Sequence, residues 1–125
     1  MQSSSGVWDH LDVSVEETGD VAVLHLAGEL DVHTAGKLAR HLGALRASVD
    51  RIVLDMERLD FMDTLGLNVL LSARTRAQTS GCVLVVENPS RSVLRLLERA
   101  GVDRLLLGPW DAPAAEASAD QLRLI

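Results

Sequence analysis

The feature that most constrains this chain is a repeated change of hydrophobic period. Residues 21–27 (VAVLHLA), 51–56 (RIVLDM) and 82–87 (CVLVVE) are short, nearly continuous apolar runs rich in β-branched residues. Such runs suit strands covered on both faces. Each is followed by a segment whose apolar residues recur at helical spacing. Ala35, Leu38, Leu42 and Leu45 share one face of the first, while Lys37, Arg40 and Arg46 fall elsewhere. In the second, Gly66, Leu67, Val69, Leu70, Ala73 and Ala77 gather opposite Thr64, Asn68, Ser72 and Thr75. In the third, Val93, Leu96, Leu97 and Ala100 oppose an Arg91, Arg95, Arg99 stripe. Strands alternating with helices of this length predict an α/β fold: a mixed, largely parallel sheet of four to five strands with helices packed on it.

Around this frame the remaining pieces fall into order. Residues 1–10 read as a flexible tail, and 11–125 as a single domain. Leu11, Val13 and Val15 alternate with Asp12, Ser14 and Glu16, a strand with one wet face, and Gly19-Asp20 turns it into a hairpin with residues 21–27. Asp31 or Thr34 is placed to cap the first helix. Gly81 and Gly101 are placed to close the second and third. Asn88-Pro89 reads as a cap followed by a first-turn proline. Residues 105–107 read as a short last strand, and residues 111–122 as a final helix.

Composition and charge narrow the function classes. No apolar run approaches the roughly 20 residues of a membrane helix, and the first residues lack the basic start and apolar core of a secretory signal. The expected location is the cytoplasm. The net charge is −6, and residues 1–63 hold 12 acids against 5 bases while the remainder holds 6 against 7. That argues against direct nucleic-acid binding, which needs a basic face, and fits a protein partner with basic groups. Cys82 is the single cysteine and reads as a small buried apolar residue. His25 reads as a satisfied strand residue, and His33 and His41 as surface or boundary residues. No Gly-rich phosphate loop, nucleophile elbow or metal-spaced His pair is present. Asp31, His33 and Thr64 are the one conceivable hydroxyl–imidazole–carboxylate set. The expectation is a binding protein, not an enzyme, with no cofactor and no metal.

Function is expected at the C-terminal ends of the strands. Two acidic loops compete there, 28–34 and 59–64. The second opens the stretch LDFMDTLGLNVLL over residues 59–71, which changes from strand-like to helical at Asp63-Thr64. Both residue types favour a helix N-cap, and an anion is tolerated at that end of a helix. Leu65 projects onto the polar side, beside Asn68 and Ser72.

Three motifs taken together resemble the STAS domain, the module of bacterial anti-sigma factor antagonists and of the cytoplasmic ends of sulphate transporters. They are LAGELD over residues 26–31 followed by His33-Thr34-Ala35, FMDTLGL over 61–67, and the strand CVLVVEN with a later helix ending in RAGV. The resemblance runs from about residue 11 to residue 107. It implies that the hydroxyl residue after the aspartate, Thr64, is phosphorylated. It implies a kinase-type anti-sigma factor with a histidine-kinase-like ATPase fold as partner, and a phosphatase that reverses the modification. The implied docking surface is Glu29, Asp31, Asp63, Thr64, Leu65 and Asn68. The chain departs from the family pattern at Thr64, usually Ser; at Leu65, usually a small hydroxyl residue; and at Asn68, often a small residue. A STAS scaffold that binds partners constitutively, without phosphorylation, is the alternative that Leu65 suggests.

Overall fold

The computed structural model describes residues 10–108. The expected tail before His10 and the helix expected over 111–122 lie outside them. Strands β1 (Leu11–Thr18) and β2 (Val21–Leu30) form the hairpin. Helix α1 (Ala35–Gly43), strand β3 (Arg51–Met62), helix α2 (Thr64–Thr79), strand β4 (Val83–Glu87) and helix α3 (Arg91–Arg99) follow, then a helical turn α4 (Asp103–Leu106). The strands lie in the order β1-β2-β3-β4, antiparallel in the first pair and parallel in the other two. This is the mixed sheet that the alternating periods predict. No helix among the described residues is long and apolar enough to cross a membrane.

Alternate strand residues build the core. Leu24 and Leu26 of β2, Leu54 and Met56 of β3, and Leu84 and Val86 of β4 share one buried cluster with residues of all three long helices. Those helix residues are Leu38 of α1, Leu67 and Leu70 of α2, and Val93 and Leu97 of α3. The helices therefore cover one face of the sheet, and each fully buried leucine contributes about 1.5–3 kcal/mol. Helices α2 and α3 end as expected on Gly81 and Gly101. In each, the glycine N–H and the next N–H reach back to orphan carbonyls, Gln78 and Ala77 in α2, Glu98 and Leu97 in α3.

Three local expectations are corrected. Ser90, not Asn88, caps α3: its Oγ accepts the Val93 N–H at 3.4 Å, while Asn88 adopts φ +55° and donates its side-chain amide to Asp55. Residues 105–107 are not a strand. Three consecutive leucines without β-branching carry good helix propensity, and Asp103–Leu106 coils into a turn; Leu107 alone bridges Val86 in parallel. Finally, β3 continues past Met56 to Met62.

That extension positions the candidate site. Strand β3 has 12 residues to the 10 of β2. The difference is absorbed at two irregularities: His25 pairs with Asp55 but Ala27 with Arg58, and Gly28 pairs with Leu59 but Glu29 with Phe61. Each bulge adds one residue to β3, so the parity is restored and Met62 returns to the core beside Leu30. Asp55 secures the first bulge. Its Oδ1 accepts the Glu57 N–H at 3.2 Å and the Asn88 Nδ2 at 3.1 Å, and its Oδ2 lies 2.8 Å from His25 Nδ1. The other ring nitrogen of His25 lies 3.3 Å from Glu16 Oε1.

His25 is thus satisfied, by two carboxylates. The hydrogen bonds to Asp55 and Glu16 raise its pKa above the ordinary 6.5, against the opposing effect of burial. Burial pushes Asp55 up, but hydrogen bonds from Asn88, His25 and the Glu57 N–H outweigh it and hold the carboxyl below 3.8. The contribution of His25 to stability is complete below pH 6.5 and is lost as pH rises through the raised native pKa. That of Asp55 is complete above pH 3.8 and is lost as pH falls through the lowered native pKa. Urea denaturation is expected to show this cluster at its most stabilising between those two values, weakening just above pH 6.5. His25→Gln is expected to flatten the alkaline side of the profile; an unchanged profile would discard the assignment.

Candidate functional site

The two acidic stretches meet because β2 and β3 are parallel neighbours. The sequence suggested loops, but both stretches stay in strand, to Leu30 and Met62, with Glu29 opposite Phe61 and Leu30 opposite Met62. One residue, Asp63, separates β3 from α2. Its N–H donates to Leu30 O at 3.1 Å, and its Oδ1 accepts the Gly66 N–H at 3.0 Å. Asp63 is therefore the N-cap. Thr64, the first residue of α2, has no capping role. It is exposed, and its hydroxyl makes no hydrogen bond to any described residue. Leu65 follows, 47% exposed, and Asn68 is exposed one turn on.

The turn after β2 is held by Thr34. Its buried hydroxyl donates to Glu29 O at 2.8 Å and accepts the Asp31 N–H at 2.9 Å. Asp31 Oδ1 accepts the His33 N–H at 2.9 Å. So neither Asp31 nor Thr34 caps α1 through its side chain; both are used inside the turn. No relay forms from Asp31, His33 and Thr64. Asp31 and His33 meet only through the His33 backbone N–H, and the His33 side chain is exposed.

The structure gathers Glu29, Asp31, Asp63, Thr64, Leu65 and Asn68 at one end of the sheet. It adds two residues that the pattern reading missed. Phe61, the single phenylalanine, stands exposed opposite Glu29, and Val32 is exposed in the turn after β2. Phe61 was hidden by the bulges, which break the alternation expected of a strand. Val32, Ala35, Leu65, Asn68, Val69 and Ser72 line a groove of about 390 Å³ between α1 and α2. Acidic groups thus border an exposed apolar strip, the mixture found in the centre and rim of protein interfaces.

Gly66 makes the junction possible. A Cβ there would lie 2.6 Å from Leu30 O and 2.7 Å from Leu30 Cγ. The first turn of α2 therefore rests directly on the end of β2. Gly66→Ala is expected to destabilise by about 1–3 kcal/mol, overpacking outweighing the better helix propensity of alanine. Chemical denaturation checks this; a gain in stability would contradict the packing described.

Comparison with known proteins agrees with this geometry. The STAS domain family model matches residues 12–117. The anti-sigma F factor antagonist of Paenibacillus polymyxa is 29% identical over 99 residues, spanning 78% of this chain and 85% of that protein. The crystal structure of an anti-sigma factor antagonist from Mycobacterium paratuberculosis has a TM-score of 0.68 at 24% identity, covering 77% of this chain and 82% of that one. The Bacillus cell fate determinant SpoIIAA in its phosphorylated form has a TM-score of 0.63 at 22% identity, covering 90% and 100%. With most of its length matched by the family model and its sheet and helices matched by these folds, the chain belongs to the STAS-domain family.

Proposed function

We propose that the chain is an anti-sigma factor antagonist whose docking surface is Glu29, Asp31, Asp63, Thr64, Leu65 and Asn68, and whose switch is phosphorylation of Thr64. The observation that carries this reading is the exposed Thr64 hydroxyl at the start of α2, without a hydrogen-bond partner among the described residues and set between the capping Asp63 and the exposed Leu65. The names of the relatives support the antagonist role. The partner is a kinase-type anti-sigma factor with a histidine-kinase-like ATPase fold, met in the cytoplasm. In the transfer, Thr64 Oγ bonds to the γ-phosphorus of ATP, the bond to the β-phosphate oxygen breaks, ADP leaves, and the hydroxyl proton passes to a base on the kinase. A phosphatase restores the hydroxyl with water.

The phosphate adds about −1.5 to −2 of charge and three acceptor oxygens. It arrives beside Asp63, on an edge that already carries Glu29 and Asp31. Repulsion and desolvation then oppose docking on the apolar strip. Intact-mass spectrometry after incubation with ATP and anti-sigma kinases of the same genome tests the reading. One added phosphate, absent from Thr64→Ala, is the expected result. Stable complexes without phosphate transfer would favour a constitutive scaffold, the reading that exposed Leu65 and Val32 support.

A further inference from the structure

A second cleft lies at the opposite end of α1 and α2, where β3 and β4 begin. Its volume is about 350 Å³, within the usual range of small-molecule sites. Leu42, Leu45 and Ala47 form one wall and Ala73 and Ala77 the other. The edge of the core opens at this cleft. Val49, Ile52, Ala73, Ala77 and Cys82 all line it, and they retain 7–9% exposure, while every other member of the core cluster retains 4% or less. Water therefore reaches apolar core atoms here.

The polar groups at the mouth indicate what the cleft takes. Arg46 is already engaged, its Nε donating to Glu17 Oε1 at 2.6 Å and its Nη2 to Gly19 O at 3.0 Å. Arg76 also lines the cleft, and its guanidinium meets no hydrogen-bond or ion partner among the described residues. Arg76 is exposed to solvent, and an exposed cation bordering an apolar cleft complements an anionic head on an apolar tail. Arg76 and Ala39 also border the groove beside Leu65, so the two spaces adjoin along α1 and α2.

We propose that this cleft binds an amphiphilic carboxylate of the medium-chain fatty acid class, its tail on Ile52, Ala73, Ala77 and Cys82 and its carboxylate on Arg76. The proposal is independent of the Thr64 switch. It gives the chain a ligand-sensing site on the same helix that presents Thr64.

Cys82, the single thiol, provides a reporter at the cleft floor. Burial pushes its pKa up, so alkylation is slow and readily timed. The experiment measures iodoacetamide labelling and direct calorimetric binding with decanoate and with decanol as probes. Decanoate is expected to bind and to slow labelling at least several-fold. Arg76→Gln is expected to weaken decanoate binding roughly tenfold or more, the loss of a charged hydrogen bond. Ala77→Leu is expected to fill the cleft and abolish binding. Ala39→Leu, from the less buried wall of α1, repeats that test should the floor variant fold poorly. Decanol binding as tightly as decanoate, or decanoate binding unaffected in Arg76→Gln and Ala39→Leu, would overturn the proposal, as would no binding to the folded wild type.

Discussion

Thr64→Asp is expected to lower affinity for the proposed anti-sigma partner by about 100-fold or more while leaving the fold intact. The affinity loss follows from burying one more fixed negative charge beside Glu29, Asp31 and Asp63 of the same chain, because their mutual repulsion and the cost of desolvation both rise as docking excludes water. The fold is spared because Thr64 is exposed and its hydroxyl makes no hydrogen bond to a described residue. An acid at the first helical position also interacts favourably with the helix dipole. Calorimetric titration against the partner, with thermal denaturation of the free protein, separates the two effects. Thr64→Ala serves as the companion and is expected to bind like the wild type. Undiminished binding by the Asp variant would move the protein to the constitutive-scaffold reading.

Gly28→Ala is expected to be the most destabilising small substitution in the described fold, at about 3–5 kcal/mol, because two independent costs combine. Gly28 has φ +113°, a region essentially restricted to glycine. A Cβ would also stand 1.9 Å from His10 O, a backbone atom that cannot swing aside as a side-chain tip does. That same carbonyl accepts the Glu29 N–H at 2.8 Å, so relief of the clash would displace Glu29 from the proposed docking edge. Gly19→Ala isolates the first cost. Gly19 has φ +63° with nothing near its missing Cβ, and its substitution is expected to cost about 1–2 kcal/mol. Equal effects at the two positions in denaturant titrations would show that the clash is absorbed.

The frame of the molecule could be read from residue patterns because burial follows period there. Leu24, Leu54 and Leu84 lie in runs bounded by turn residues, and Leu67, Leu70, Ala73 and Ala77 mark the buried side of α2. Patterns failed where the backbone departs from its period. The bulges of β3 place buried residues at 56, 59 and 62, so the alternation of a strand disappears and residues 57–62 resemble a loop. Phe61 was lost for that reason. Asn88 carried a cap-like identity, but its side chain is drawn to Asp55, a pairing 33 residues away that no local window contains. At the candidate site, Asp63 and Thr64 could each have been the cap; the Gly66 N–H chose Asp63, and that choice leaves the hydroxyl exposed. The cleft at Cys82 depended on small residues from α1 and α2 facing one another, a relation set by helix packing and invisible along the chain.

The single-residue junction between β3 and α2 has a consequence for how any modifying enzyme meets its target. Thr64 cannot be drawn out as a pliant strand of peptide without breaking the Asp63 bond to Leu30 and lifting Gly66 off β2. If Thr64 is the acceptor, as proposed, it is offered on a pedestal held by those contacts, and the enzyme must conform to it. Selectivity then resides in the three-dimensional relief around the threonine, with Phe61 and Val32 as its raised features. Recognition of a linear consensus has little part in such an encounter. On that reading, changes at Phe61 and Val32 would be expected to alter which kinase docks while the residues beside the acceptor stay the same.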